Sequence, residues 1–232
     1  MEHIILFPLL MILIMLLTIF VNYLRYKDSN YREASGNGFF KTIFDKGNYG
    51  EFLTFTYLEK LRGHQRLMTN LYLPKEDGTT TEVDLIMISQ TGIYAFESKN
   101  YSGWIFGDER YKSWTQTLEN KQKNKFFNPI WQNKGHINAL KSATGLEDDN
   151  LYKSYIIFSE RCTLKKINVT SPNVKVIKRN ELIKTIKQDI ESSTDVLTKE
   201  EVDKLYSKLQ EYACVDETIK EAHIENIKNR KA

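Results

Sequence analysis

The sequence predicts an α/β domain, a mixed central sheet flanked by helices, preceded by one N-terminal transmembrane helix. Three observations lead there. Residues 4–21 form an uncharged apolar run. Two β-forming arms flank the turn Ser89-Gln90-Thr91-Gly92. Apolar residues then recur at helical spacing before, between and after the strand-like stretches.

The chain has 232 residues, enough for one domain of about 100–200 residues plus appendages. Its net charge of +3 is the difference between 33 basic and 30 acidic residues. That balance neither requires nor excludes a nucleic-acid partner, so any basic footprint must be local. Cys162 and Cys214 lie far apart without a C-x-x-C or a neighbouring histidine. They read as reduced packing residues and argue against a structural zinc site.

Eighteen helical residues over 4–21 reach about 27 Å, against a bilayer core about 30 Å thick. Tyr23 and Tyr26 fall at the interface, followed by Arg25, Lys27 and Arg32. A cleaved signal peptide is the competing reading. Against it stand Glu2 in place of a basic start, too long an apolar run, and Asn22-Tyr23-Leu24 where small residues belong. The basic flank predicts a single-pass cell-membrane anchor, N-terminus out, with residues 25–232 in the cytoplasm.

Residues 22–46 read as a polar juxtamembrane linker, 47–180 as the main domain and 181–232 as a C-terminal helical region. Phe52, Phe55, Leu58 and Leu61 give a helix that Gly63 stops. A strand over 67–73 and a turn over 74–78 lead to the hairpin of residues 82–88 and 93–99. Residues 104–109 read as another strand and turn, with 111–118 as its partner. Asn128-Pro129 starts a helix expected to reach Ala143. Residues 151–159 and 174–177 are strands. Leu182, Ile183, Ile186 and Ile190 form one helical stripe. Val202, Leu205, Leu209 and Tyr212 form another, behind a Thr198/Glu201 capping box. Residues 220–232 are expected to fray.

The chemistry lies in the hairpin. If Ile88 pairs with Ile93, Ile86 pairs with Ala95 and Asp84 falls opposite Glu97, with Cβ atoms about 4.5–5.5 Å apart. Alternation puts Ile93, Ala95, Glu97 and Lys99 on one face, and Tyr94, Phe96 and Ser98 on the other. Like charges so placed destabilise a sheet unless something is held between them. A divalent cation fits, since hard cations take oxygen ligands. Lys99 would orient an attacking water and stabilise charge on a phosphate. The plainer reading makes all three surface charges on a wet face. Against it, the same face carries Ile86 and Ala95, although Lys99 already compensates part of the acid.

In residues 47–140 the sequence resembles the nuclease-related domain (NERD) family of the PD-(D/E)xK, restriction-endonuclease-like superfamily. The resemblance rests on Gly50-Glu51, Glu82-Val83-Asp84, Gly92-Ile93-Tyr94-Ala95-Phe96-Glu97-Ser98-Lys99, Tyr101-Ser102-Gly103-Trp104 and Asn128-Pro129-Ile130-Trp131-Gln132. It implies a restriction-endonuclease-like fold, with Asp84 and Glu97 as ligands of Mg²⁺ (or Mn²⁺) and Lys99 as catalytic lysine. It also implies Glu51 as a further ligand or its support, and Gln132 directed to the metal or DNA. Val83 stands where the superfamily has its proline. Two roles have independent alternatives. Glu51 near a helix start is equally explained by the helix dipole. Gln132 and His136, four apart, share a helical face that solvent would also explain.

Lys112, Lys121, Lys123 and Lys125, interleaved with Tyr111, Trp114, Phe126 and Phe127, are candidate nucleic-acid contacts. Core aromatics beside solvated lysines are the default explanation. The resulting expectation is a membrane-anchored, metal-dependent nuclease acting on nucleic acid, DNA ahead of RNA. The alternative is a non-catalytic module that recruits nucleic acid or protein to the membrane.

Overall fold

In the computed structural model, residues 2–75, 77–213 and 215–229 are described. Helix α1 (Glu2–Lys27) carries the apolar run. From Phe7 to Lys27 it is long and apolar enough to cross a membrane. Its large apolar side chains are exposed rather than packed on the domain, as Phe7, Leu13 and Phe20 illustrate.

The stretch expected as a linker folds against the core instead. It contains α2 (Tyr31–Ser35) and α3 (Phe39–Phe44). Tyr26 and Tyr31 are buried, and the Tyr31 ring packs edge-on against Phe52 and Phe55. The Tyr26 hydroxyl donates to the Asn37 carbonyl at 2.5 Å. Scattered aromatics among polar residues supply this packing, and neither helix is long enough to show a period.

Helix α4 (Lys46–Leu58) is capped by Asp45, which accepts from the Asn48 N–H at 2.8 Å. There follow β1 (Gln65–Pro74), β2 (Thr80–Ser89), β3 (Gly92–Lys99), β4 (Gly103–Asp108), β5 (Ser113–Thr117) and β6 (Lys123–Phe127). Then come α5 (Pro129–Thr144), β7 (Tyr152–Phe158), β8 (Cys162–Asn168), β9 (Val174–Lys178), α6 (Leu182–Ser192), α7 (Lys199–Leu209) and α8 (Glu217–Asn229).

The strands form two mixed sheets. The first has the order β1-β2-β3-β7-β9, antiparallel up to β3 and parallel beyond it. The second has the order β6-β5-β4-β8, with only the β4–β8 pair parallel. The expectation of one central sheet therefore covers only part of the strand content. β6 and β8 went unread because Lys123-Asn124-Lys125 and Leu164-Lys165-Lys166 are too charged to show strand composition.

Both faces of the first sheet are covered. Ile86, Ile88, Ile93 and Ala95 pack with Ile137 and Leu140 of α5 and with Val202 and Leu209 of α7. Leu85, Met87, Tyr94 and Phe96 pack with Phe52 and Phe55 of α4 and with Leu182 and Ile186 of α6. The inner face of the second sheet lies on the β7 and β9 side chains, with Trp114 stacked on Phe158. The Thr198/Glu201 capping box forms as expected, at 3.1 and 2.7 Å. The expected frayed tail is helical through Asn229, and its remainder lies outside the described residues. Cys162 is a free, buried thiol; the reading of Cys214 falls outside the described residues.

Candidate functional site

The hairpin register matches the arithmetic from the sequence: Ile88 pairs with Ile93, Ile86 with Ala95, and the ladder runs to Leu85 opposite Phe96. The turn is tighter than the four residues expected, because Ser89 pairs with Gly92 and leaves only Gln90 and Thr91 between the strands. Gly92 has φ +125, and a Cβ there would lie 2.6 Å from the Leu151 carbonyl oxygen. Only glycine fits where β3 starts beside the entry to β7.

The regular ladder stops one residue short of Asp84 and Glu97. Asp84 Oδ2 accepts instead from the Ser98 N–H at 3.4 Å. Glu97, 1% exposed, is sealed on the α5 face of the sheet, where alternation with Ala95 and Ile93 places it. Lys99, two residues on, folds back so that Nζ stands 2.6 Å from Glu97 Oε1. The same Nζ donates to Gln132 Oε1 at 3.0 Å.

Helix α5 delivers Gln132. Asn128 caps the helix by accepting from the Ile130 N–H at 2.9 Å. Its own amide donates to the carbonyls of Asp108, Glu109 and Tyr111. Asn133 then pins the helix to the sheet by donating to the Ala95 carbonyl at 2.9 Å and to Ser154 Oγ at 2.8 Å. His136, one turn past Gln132, is 3% exposed, with Nδ1 3.5 Å from Glu97 Oε2. That contact is not a hydrogen bond, and both atoms are buried without a partner.

Glu51 approaches from the α4 side. The helix begins at Lys46, so Glu51 occupies its second turn rather than its start. This weakens the dipole explanation, which acts within the first turn. The start and the third turn of α4 are tied to the end of β3: Asn100 donates to the Lys46 carbonyl at 2.7 Å, and Thr54 Oγ1 lies 3.1 Å from Ser98 Oγ.

The electrostatics show that the carboxyls share one field. Burial, then the charge of Glu97, pushes Asp84 up to about 7, with His136 and Lys99 opposing. Glu51 is raised well above the usual carboxylate range, by burial first and by Asp84 next. Glu97 is also raised, burial outweighing the help of Lys99. Burial pulls Lys99 down, but Glu97 and Asp84 together carry it above its ordinary value. Burial lowers His136 to about 4, which leaves a neutral imidazole. Acid exceeds base here, and Lys99 alone does not balance it.

Sequence reasoning missed Arg179, which is 1% exposed beneath the end of β3. Its Nε lies 3.3 Å from Thr54 Oγ1 and its Nη1 3.3 Å from Glu160 Oε2, while Nη2 has no partner. A Cβ at Gly50 would come 3.5 Å from that Nη2. No period or motif marks Arg179; only the tertiary fold brings it here. Of the proposed nucleic-acid contacts, Trp114 is core and Phe126 half-buried against Tyr101. Tyr111, Phe127 and the four lysines are exposed.

Among the described residues, no three His, Cys, Asp or Glu side chains stand in ready metal-binding geometry. The donor set nevertheless suits a hard cation: oxygen ligands, mutually raised carboxyls, and the orphaned Glu97 Oε2.

A family model described as nuclease-related domain matches residues 46–159. An uncharacterized protein of Bacillus anthracis is 36% identical over 187 residues, covering 80% of this chain and 85% of that protein. No solved structure matches. The chain belongs to the nuclease-related domain (NERD) family.

Proposed function

We propose that this protein is a membrane-anchored, cytoplasm-facing, metal-dependent nuclease of restriction-endonuclease-like fold that hydrolyses nucleic-acid phosphodiester bonds. The observation that carries the reading is the mutually repelling acid cluster, Glu97 buried and Asp84 and Glu51 half-buried, with a charged lysine at its edge. Family membership supports a nucleic-acid substrate. The apolar helix and its basic flank support the anchor and its orientation.

Asp84 and Glu97 would hold Mg²⁺ or Mn²⁺, with Glu51 as third donor or its support. When bound, such an ion supplies Lewis-acid polarisation of the phosphoryl oxygen and offsets the acid repulsion. Lys99 keeps its proton at neutral pH. It therefore acts as a fixed positive charge that orients water and stabilises charge developing on phosphate, not as a base. Gln132 fixes the ammonium by accepting from it. Neutral His136 packs beside Glu97 without adding charge.

The close Lys99–Glu97 pair favours a second reading, a binding module that recruits nucleic acid or protein to the membrane without chemistry. Cleavage assays separate the two. The full chain in neutral detergent is incubated with labelled DNA and RNA, with Mg²⁺, Mn²⁺ or chelator. Cutting should require the metal and fall at least about a hundredfold in Asp84→Ala and Lys99→Ala, as loss of a transition-state contact does. Cutting that persists in both variants sinks the proposal; binding without cutting favours the second reading.

A further inference from the structure

The second sheet has two unlike faces. Its inner face is core, built on Ile105 and Trp114. Its outer face exposes Trp104 (51%), Phe106 (36%) and Phe127 (46%). Register places these with lysines. Lys123 lies across from Thr117, which lies across from Trp104; Lys125 lies across from Thr115, which lies across from Phe106. On the other flank Lys166 pairs with Phe106 at a bulge, and Lys165 Nζ stands 5.0 Å from the Trp104 ring centroid. Among the described residues no carboxylate pairs with lysines 123, 125, 165 or 166. Asp108, at the far end of β4, is taken by Arg110 at 2.6 Å.

Stability does not require this face, since the core lies on the other side and threonine or lysine would fill outward positions as well. Lysines neutralise phosphates, and exposed rings on a four-stranded sheet are surfaces on which unpaired bases stack. Trp104 and Phe106, alternate residues of one strand, are about 7 Å apart along it. A duplex keeps its base faces stacked inside and cannot use such rings. The chain also links the face to the acid cluster: β4 starts shortly after Lys99, and β6 runs straight into α5, which carries Gln132.

We propose that the outer face of β6-β5-β4-β8 docks single-stranded nucleic acid. The onward delivery of that strand to Lys99 rests on the nuclease reading; the binding does not. The full chain in neutral detergent, with chelator present, is titrated against short labelled single-stranded DNA, single-stranded RNA and blunt duplex, and read by anisotropy. Single strands should bind at least about tenfold tighter than duplex, and Trp104→Ala and Phe106→Ala should each weaken them about tenfold. The double variant Lys123→Gln/Lys125→Gln should reduce the salt slope by about 1.4. Circular dichroism should show every variant folded. The proposal is overturned if duplex binds as tightly, if the face variants match wild type, or if no oligonucleotide binds. It is also overturned if only anionic vesicles bind in a Trp104-dependent way, which makes the face a membrane contact. Wild type that binds through this face but never cuts upholds the proposal and removes the nuclease reading.

Discussion

Removing the Asp84 charge should stabilise the metal-free protein, and increasingly so as pH rises. A carboxyl of ordinary value 3.8 is raised to about 7 in the folded chain. Below 3.8 both states hold the proton and nothing is lost. Above it the unfolded chain ionises while the folded chain does not, so wild-type stability falls until pH passes the folded value. At about 1.36 kcal/mol per pH unit, the full penalty is at most about 4 kcal/mol, of which about 2.6 kcal/mol accrues between pH 5 and pH 8. Glu51 and Glu97 share the repulsion, and Asp84 is only partly shielded from solvent. About 1–2 kcal/mol is therefore the expected gain of Asp84→Asn between pH 5 and pH 8. For a chain of this size that is about 2–8 °C in melting temperature. Thermal melts of both proteins with chelator, at pH 5 and pH 8, measure it. A variant less stable at pH 8, or a difference that does not change with pH, refutes the reasoning.

Other outcomes follow from the same geometry. Gly92→Ala should cost about 3 kcal/mol, since alanine pays for the positive φ and meets the Leu151 carbonyl, and denaturation midpoints would show it. Asn133→Ala should cost about 1–3 kcal/mol through the lost bonds to the Ala95 carbonyl and Ser154 Oγ, and should lower cleavage by loosening Gln132 over Lys99. Unaltered cleavage at full folding would show that α5 needs no such pin. Protease added to inside-out membrane vesicles should digest the domain, and right-side-out vesicles should protect it; the reverse result inverts the anchor.

What the sequence made legible was local. The hairpin register follows from counting residues around Gly92, and the α5 start follows from an Asn cap before proline. Counting along the hairpin brings Asp84, Glu97 and Lys99 together, whereas Gln132 was named by the family resemblance and meets Lys99 only through the packing of α5. The rest depends on contacts distant along the chain. Arg179 meets Thr54 across 125 residues, and β4 meets β8 across some sixty. Tyr31 looks like linker until Phe52 and Phe55 cover it. The mixture of rings and lysines read from the sequence held Tyr111 and Phe127, which are exposed, but also the buried Trp114, and it left out Trp104 and Phe106. Sorting Trp114 inward and Trp104 outward needed the second sheet.

The most direct test of the acid cluster is calorimetric titration of Mn²⁺ into the full chain at pH 8, alongside Asp84→Asn and Glu97→Gln. Wild type should bind the ion, and each substitution should weaken it at least about tenfold by removing a charged oxygen ligand. Wild type that takes up no Mn²⁺, or binding that neither change disturbs, would contradict the account.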